Sequence, residues 1–107
     1  MNLQLEEKGD VILLSLDGRT SLAKIKDVVN EQVEKGKRKI VVDLREVSFI
    51  DSTGLGDLVA AYTIAKRYGG VIKLVSDTKN IDHLLDITSI SSVIDRYTTS
   101  EEAIESF

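Results

Sequence analysis

The sequence predicts an α/β fold. Its 107 residues read as one domain over 1–107, with a mixed β-sheet of about four to five strands, opened by a β-hairpin and covered by about four helices. Three observations carry this. Short apolar runs at Val11-Ile-Leu-Leu-Ser-Leu16, Lys39-Ile-Val-Val-Asp-Leu44 and Val71-Ile-Lys-Leu-Val75 read as buried strands. Helical periodicity over 22–35 and 53–68 separates them, giving βαβ units with parallel strands and right-handed crossovers. Alternation at Leu3 and Leu5, followed by the turn Lys8-Gly9-Asp10, places an antiparallel strand at the start.

Each element has its local reason. After Asp17-Gly18 closes the second strand, Thr20 or Ser21 can cap a helix whose apolar stripe is Leu22, Ile25, Val28, Val29 and Val33. Gly36 stands where a left-handed C′ residue is expected, and Lys37-Arg38-Lys39 complements the helix C-terminus. The next helix stops at Gly69-Gly70, and Leu55, Leu58, Val59, Tyr62 and Ala65 are expected on its core face. Its opposite face would carry Thr53, Gly56, Asp57, Ala60, Thr63, Ile64 and Arg67, small residues beside an exposed isoleucine. Either helix propensity or a docking face accounts for that pattern. Ser76, Asp77 or Thr78 caps a short helix that buries Ile81, Leu84 and Leu85, and residues 87–92 read as a loop with Ile90 folded back. Val93 to Tyr97 is expected as the last strand. Thr99-Ser-Glu-Glu102 is a capping box that starts a final helix burying Ala103, Ile104 and Phe107.

Composition narrows the function. A net charge of −4 disfavours non-specific nucleic-acid binding, which depends on excess Lys and Arg facing phosphates. With no cysteine, disulfides, thiolate catalysis and thiolate metal sites are excluded, which fits a cytoplasmic protein. No apolar run approaches the roughly 20 residues of a membrane helix, and the N-terminus does not have the pattern of a signal peptide. His83 is the single histidine and is expected at the surface, so no metal site and no histidine-based triad is anticipated. Asp43 interrupts an apolar strand and needs a partner if buried; a phosphorelay receiver would also need an acidic pair after the first strand, where Asp17-Gly18 stands instead.

The centre of the chain is Asp51-Ser-Thr-Gly-Leu-Gly56, where a strand passes into a helix. Ser52 and Thr53 stand at the expected N-cap. Orphan N–H groups and the positive dipole end favour an anion there. Known enzymatic motifs fail on this stretch: Val59 replaces the third glycine of a dinucleotide fingerprint, no lysine follows Gly56 as a phosphate loop requires, and Ile50 fills the first glycine of a nucleophile elbow. An ordinary cap would explain one hydroxyl. Two adjacent hydroxyls after an acid, two glycines and a bare outer face point instead to an accessible phosphoacceptor, Ser52 first and Thr53 second.

Val47-Ser-Phe-Ile-Asp-Ser-Thr-Gly-Leu-Gly56, preceded by the Ile-Val-Val-Asp-Leu strand, resembles the signature of the anti-sigma factor antagonists of the STAS-domain family. The likeness extends over essentially the whole chain. It implies a non-enzymatic protein without cofactor that binds an anti-sigma factor, itself a GHKL-type serine kinase, when Ser52 is unphosphorylated. A phosphatase would reset it. The partner surface so implied comprises Asp51, Thr53, Gly54, Leu55, Gly56, Asp57, Ala60 and Ile64, with Thr20 and Ser21. Many relatives carry an acid at the start of the first helix; here Gly18-Arg-Thr-Ser21 has a hydroxyl in its place, which bears on partner identity. Two alternatives are a constitutive assembly subunit in which Ser52 is only a cap, and a small-anion or nucleotide site on the same helix N-terminus.

Overall fold

A computed structural model describes residues 3–18 and 22–107. The hairpin is β1 (Leu3–Lys8) and β2 (Val11–Gly18), followed by α1 (Ala23–Glu34), β3 (Lys39–Val47), α2 (Ser52–Arg67), β4 (Val71–Val75) and α3 (Lys79–Ile87). A 3₁₀ turn at Ile90–Ser92 precedes β5 (Arg96–Tyr97) and α4 (Ser100–Glu105). The five strands lie in chain order. β1 pairs antiparallel with β2, and every later pair is parallel. Successive right-handed crossovers advancing in one direction place their helices on one face of a sheet. Accordingly Ile25 and Val29 of α1, Leu58 and Ala61 of α2, and Ile81 and Leu85 of α3 share one core with Ile12, Leu14, Ile40, Val42, Ile72 and Leu74.

α4 covers the other face. Ala103 packs there with Val11, Leu13, Val41 and Val75, and Tyr97, Ile104 and Phe107 close the edge. The expected capping box is half formed: Glu102 N–H donates to Thr99 Oγ1 over 3.2 Å, whereas the Glu102 carboxylate accepts from the Thr99 and Thr98 hydroxyls at 3.1 and 2.8 Å instead of from the Thr99 backbone N–H. Lys73 is buried beneath this helix. Its ammonium donates to Ser106 Oγ at 2.7 Å and to the Ser106 carbonyl at 3.1 Å, and lies 4.5 Å from the Phe107 ring centroid. Cation–π attraction and the carbonyl dipole replace a carboxylate partner here.

Two elements differ from the sequence expectation. β3 continues past Leu44 to Val47, and its register against β2 slips between Ser15↔Asp43 and Asp17↔Glu46, so β3 carries one extra residue. Asp43 organises that bulge. Its carboxylate accepts from the Arg45 backbone N–H at 3.0 Å and from Arg45 Nε and Nη2 at 3.1 and 2.8 Å. The same carboxylate raises the Arg45 guanidinium further above its ordinary range. The acid in the strand is thus a structural clamp. β5 is reduced to Arg96–Tyr97, because Val93 and Ile94 donate their N–H groups to the Ile90 carbonyl and keep the chain turning. Gly36, with φ +95°, ends α1 as expected.

Candidate partner-docking site

In β2, β3 and β4 the carboxyl ends point the same way, toward the edge where open α/β sheets place their functional loops. α2 and α3 both begin there. The bulge at Asp43–Arg45 redirects the chain so that Ser48-Phe-Ile50 crosses the edge and delivers Asp51 to the start of α2.

Asp51 itself is the N-cap, in extended conformation, and its carboxylate accepts from the Gly54 N–H at 2.7 Å. This corrects the expectation that Ser52 or Thr53 caps the helix: an aspartate one residue earlier reaches the third helical N–H, the geometry a cap requires. Ser52 and Thr53 are therefore the first two helical residues, and both are exposed. Among the described residues no protein group hydrogen-bonds either hydroxyl. The Leu55 N–H is bound by the Asp51 carbonyl at 3.0 Å. That is the first intrahelical bond; among the described residues nothing binds the Ser52 and Thr53 N–H groups, which are left for solvent or for an anion.

Gly54 and Gly56 serve different purposes. Gly54 is buried: a Cβ there would lie 3.2 Å from Ile50 Cγ2, 3.3 Å from Leu22 Cδ1 and 3.3 Å from the capping Asp51 Oδ1. It lets α2 approach the start of α1 and cannot present surface to a partner. Gly56 is exposed, and a Cβ there would meet nothing within 4 Å. No packing within the described residues demands that glycine.

The facing of α2 is also corrected. Its buried residues are Gly54, Leu58, Ala61 and Ala65. Val59, expected in the core, is 45% exposed, whereas Ile64, expected outside, is half-buried and packs on the core. Small residues at 54, 61 and 65 allow close approach to α1, which rotates the buried stripe away from Val59. The outer surface thus presents Asp51, Ser52, Thr53, Gly56, Val59 and Thr63, with Leu55, Asp57 and Ala60 half-buried at its margins. Thr20 and Ser21 lie outside the described residues.

Sequence reasoning missed an apolar flank. Phe49 and Ile87 are 60% and 63% exposed. They line a groove of about 280 Å³ with Ile50, Ile81, His83 and Leu84. The surface placement of His83 agrees with its exposure. Among the described residues no cluster of metal-ligating side chains occurs, and no helix is long and apolar enough to cross a membrane.

A five-stranded mixed sheet with an uncovered helix tip at the end of its central strand defines a small α/β recognition module. The STAS domain model matches residues 2–103, and the chain belongs to that family. Its members of this kind are binding proteins rather than enzymes. The chain is 37% identical over 62 residues to the anti-sigma-B factor antagonist of Bacillus subtilis, an alignment covering 58% of this chain and 57% of that one. In structure it is similar to a candidate anti-sigma factor antagonist of Thermotoga maritima, with TM-score 0.84, 27% identity, and 97% and 92% of the two chains covered. The phosphorylated form of the Bacillus cell-fate determinant SpoIIAA shares the fold, with TM-score 0.73, 18% identity and 97% of each chain covered.

Proposed function

We propose that this chain is an anti-sigma factor antagonist of the cytoplasm, a single STAS domain whose binding is gated by phosphorylation of Ser52. The observation that carries the reading is the exposed Ser52 hydroxyl at the first position of α2, with Asp51 rather than Ser52 supplying the cap. Because the hydroxyl bonds no group among the described residues, it is open to transfer of a phosphoryl group from a GHKL-type kinase that is also the anti-sigma factor. The likeness to the Bacillus subtilis anti-sigma-B factor antagonist supports the same partner class.

Charge supplies the mechanism. A phosphate adds about −1.5 to −2 charges. The helix N-terminus tolerates it, since the Ser52 and Thr53 N–H groups and the dipole oppose the added charge. The fold therefore stays as it is, and the cost falls on the complex. Pressed into an interface beside Asp51 and Asp57 without a matching arginine, the phosphate opposes docking by roughly 2–5 kcal/mol. That corresponds to about 30-fold to a few thousand-fold weaker binding. A phosphatase restores the unmodified surface.

Incubation with ATP and the kinase of its own genome, followed by site mapping by mass spectrometry, tests the acceptor: label outside Ser52 and Thr53 refutes it. Ser52→Asp that binds the kinase as tightly as wild type refutes the charge mechanism.

A further inference from the structure

Resting on the docking role just proposed, we infer that the groove between Ser48-Phe-Ile50 and α3 is a second half of the same docking surface. Its occupant is an apolar side chain flanked by cations on the anti-sigma factor. The groove and Ser52 share the segment that leaves β3: Phe49 forms one wall and is followed within three residues by the acceptor serine. Ile87, on the last turn of α3, forms the other. Two large side chains each more than half exposed, bounding one concavity beside polar residues, have the character of an interface centre rather than of scattered surface apolars.

Charge specifies what surrounds the occupant. The exposed carboxylates of Glu46, Asp51 and Asp77 adjoin in sequence the two segments that form the groove. Among the described residues, nearby cations are already committed: Arg45 is clamped by Asp43, and Arg96 lies 3.6 Å from Asp82 and 3.4 Å from Asp86. Lys79 at the start of α3 is the exception beside the groove; Lys24 and Lys26, in the first turn of α1, stand at the same edge but on the far side of α2. Lys35, Lys37, Arg38, Lys39, Lys66 and Arg67 stand at the opposite edge, where β3 and β4 begin and α1 and α2 end, and three of them pair there with Glu31, Glu7 and Asp10. The immediate rim of the apolar groove is thus acidic, with Lys79 its one adjoining cation among the described residues. A complementary surface is basic around a projecting leucine, isoleucine, methionine or phenylalanine. Phosphate on Ser52 would stand at the rim of this groove and reinforce its negative field without filling it. The groove contributes affinity, and Ser52 decides whether the surfaces close.

The test is calorimetry of the full chain against the GHKL-type anti-sigma factor of its own genome, using wild type, Phe49→Ala, Ile87→Ser and Ser52→Asp. Both groove residues are exposed, so each variant should keep the wild-type circular dichroism and melting temperature. If Phe49→Ala folds poorly, Ile87→Ser alone carries the test. The expected result is at least about tenfold weaker binding for each groove variant, and wild-type binding that weakens as salt rises from about 50 to 300 mM. Groove variants binding within about twofold of wild type, while Ser52→Asp does not bind, overturn the groove and leave the Ser52 reading intact. Wild type failing to bind overturns both. Salt-insensitive binding overturns the cationic rim. Sedimentation of the wild type as a dimer that Phe49→Ala dissociates would assign the groove to a second copy and overturn the proposal.

Discussion

Replacing Gly56 with alanine separates folding from docking in one substitution. Gly56 lies inside α2 and is exposed, and a methyl group on its Cα would meet no atom within 4 Å. Glycine in a helix interior is worse than alanine by about 0.8–1.0 kcal/mol, and nothing local opposes the change. Gly56→Ala is therefore expected to stabilise the fold by that amount. For a domain of this size the melting temperature rises by roughly 3–7 °C. On the docking face the same methyl is an intrusion. A close-fitting partner would have to yield or withdraw, at about 1–3 kcal/mol, which is about 5- to 150-fold in dissociation constant. Calorimetric melting and titration against the anti-sigma factor measure both. A variant that is more stable yet binds with unchanged affinity would refute the reasoning, because the face bearing Gly56 would then not meet the partner.

Four further outcomes follow from the same geometry. Asp51→Ala removes the cap on Gly54 N–H and should cost about 0.5–2 kcal/mol in denaturant unfolding, with Asp51→Asn recovering most of it. Ser52→Ala leaves the cap in place, so its stability should stay within about 0.5 kcal/mol of wild type, while phosphate uptake at that site disappears in a kinase assay. Lys73→Met leaves the Ser106 carbonyl without its buried donor and should cost about 1–3 kcal/mol, with faster amide exchange confined to 100–106. Asp10 is hydrogen-bonded to Lys39 over 2.7 Å, which holds its carboxyl below the usual range. Its stabilising contribution is present at neutral pH, above the unfolded value, and fades as pH falls through the lower folded value. An NMR titration should find the Asp10 midpoint moving back up in Lys39→Met.

Much of this architecture is legible in the sequence because the strands are short apolar runs and the first two helices stop at glycines. Gly36 and Gly69, both with positive φ, punctuate the chain where α1 and α2 stop. Helix phase is harder. In α2 the expected stripe 55/58/59/62/65 and the buried stripe 54/58/61/65 are both allowed by a 3.6 period. Selection between them came from tertiary packing: only the second buries Gly54 and Ala61, and a Cβ on Gly54 would crowd Ile50 and Leu22. The choice between cap residues failed for a related reason. Asp, Ser and Thr all cap well, and three stand in a row at 51–53, so only the backbone path out of the β3 bulge decides which one precedes the helix. Phe49 and Ile87 come from separate elements, and no local pattern announces that they share a groove.

The placement of Asp51 has a consequence for how a switch can work here. An acceptor that also capped its helix would lose or strengthen that cap on modification, so phosphorylation would change stability along with binding. With the cap assigned to Asp51 and Gly54 packed beneath it, the Ser52 hydroxyl can gain or lose charge while the first turn of α2 keeps its bonds. The Ser52 and Thr53 N–H groups, unbonded among the described residues, temper the added charge locally, but a partner bringing its own surface to that tip meets the phosphate, Asp51 and Asp57 together. Switching by surface charge on a fixed backbone is thus what the division of labour between residues 51 and 52 permits. A phosphorylated chain whose amide spectrum changed throughout α2 and the core, rather than around residues 51–57, would contradict it.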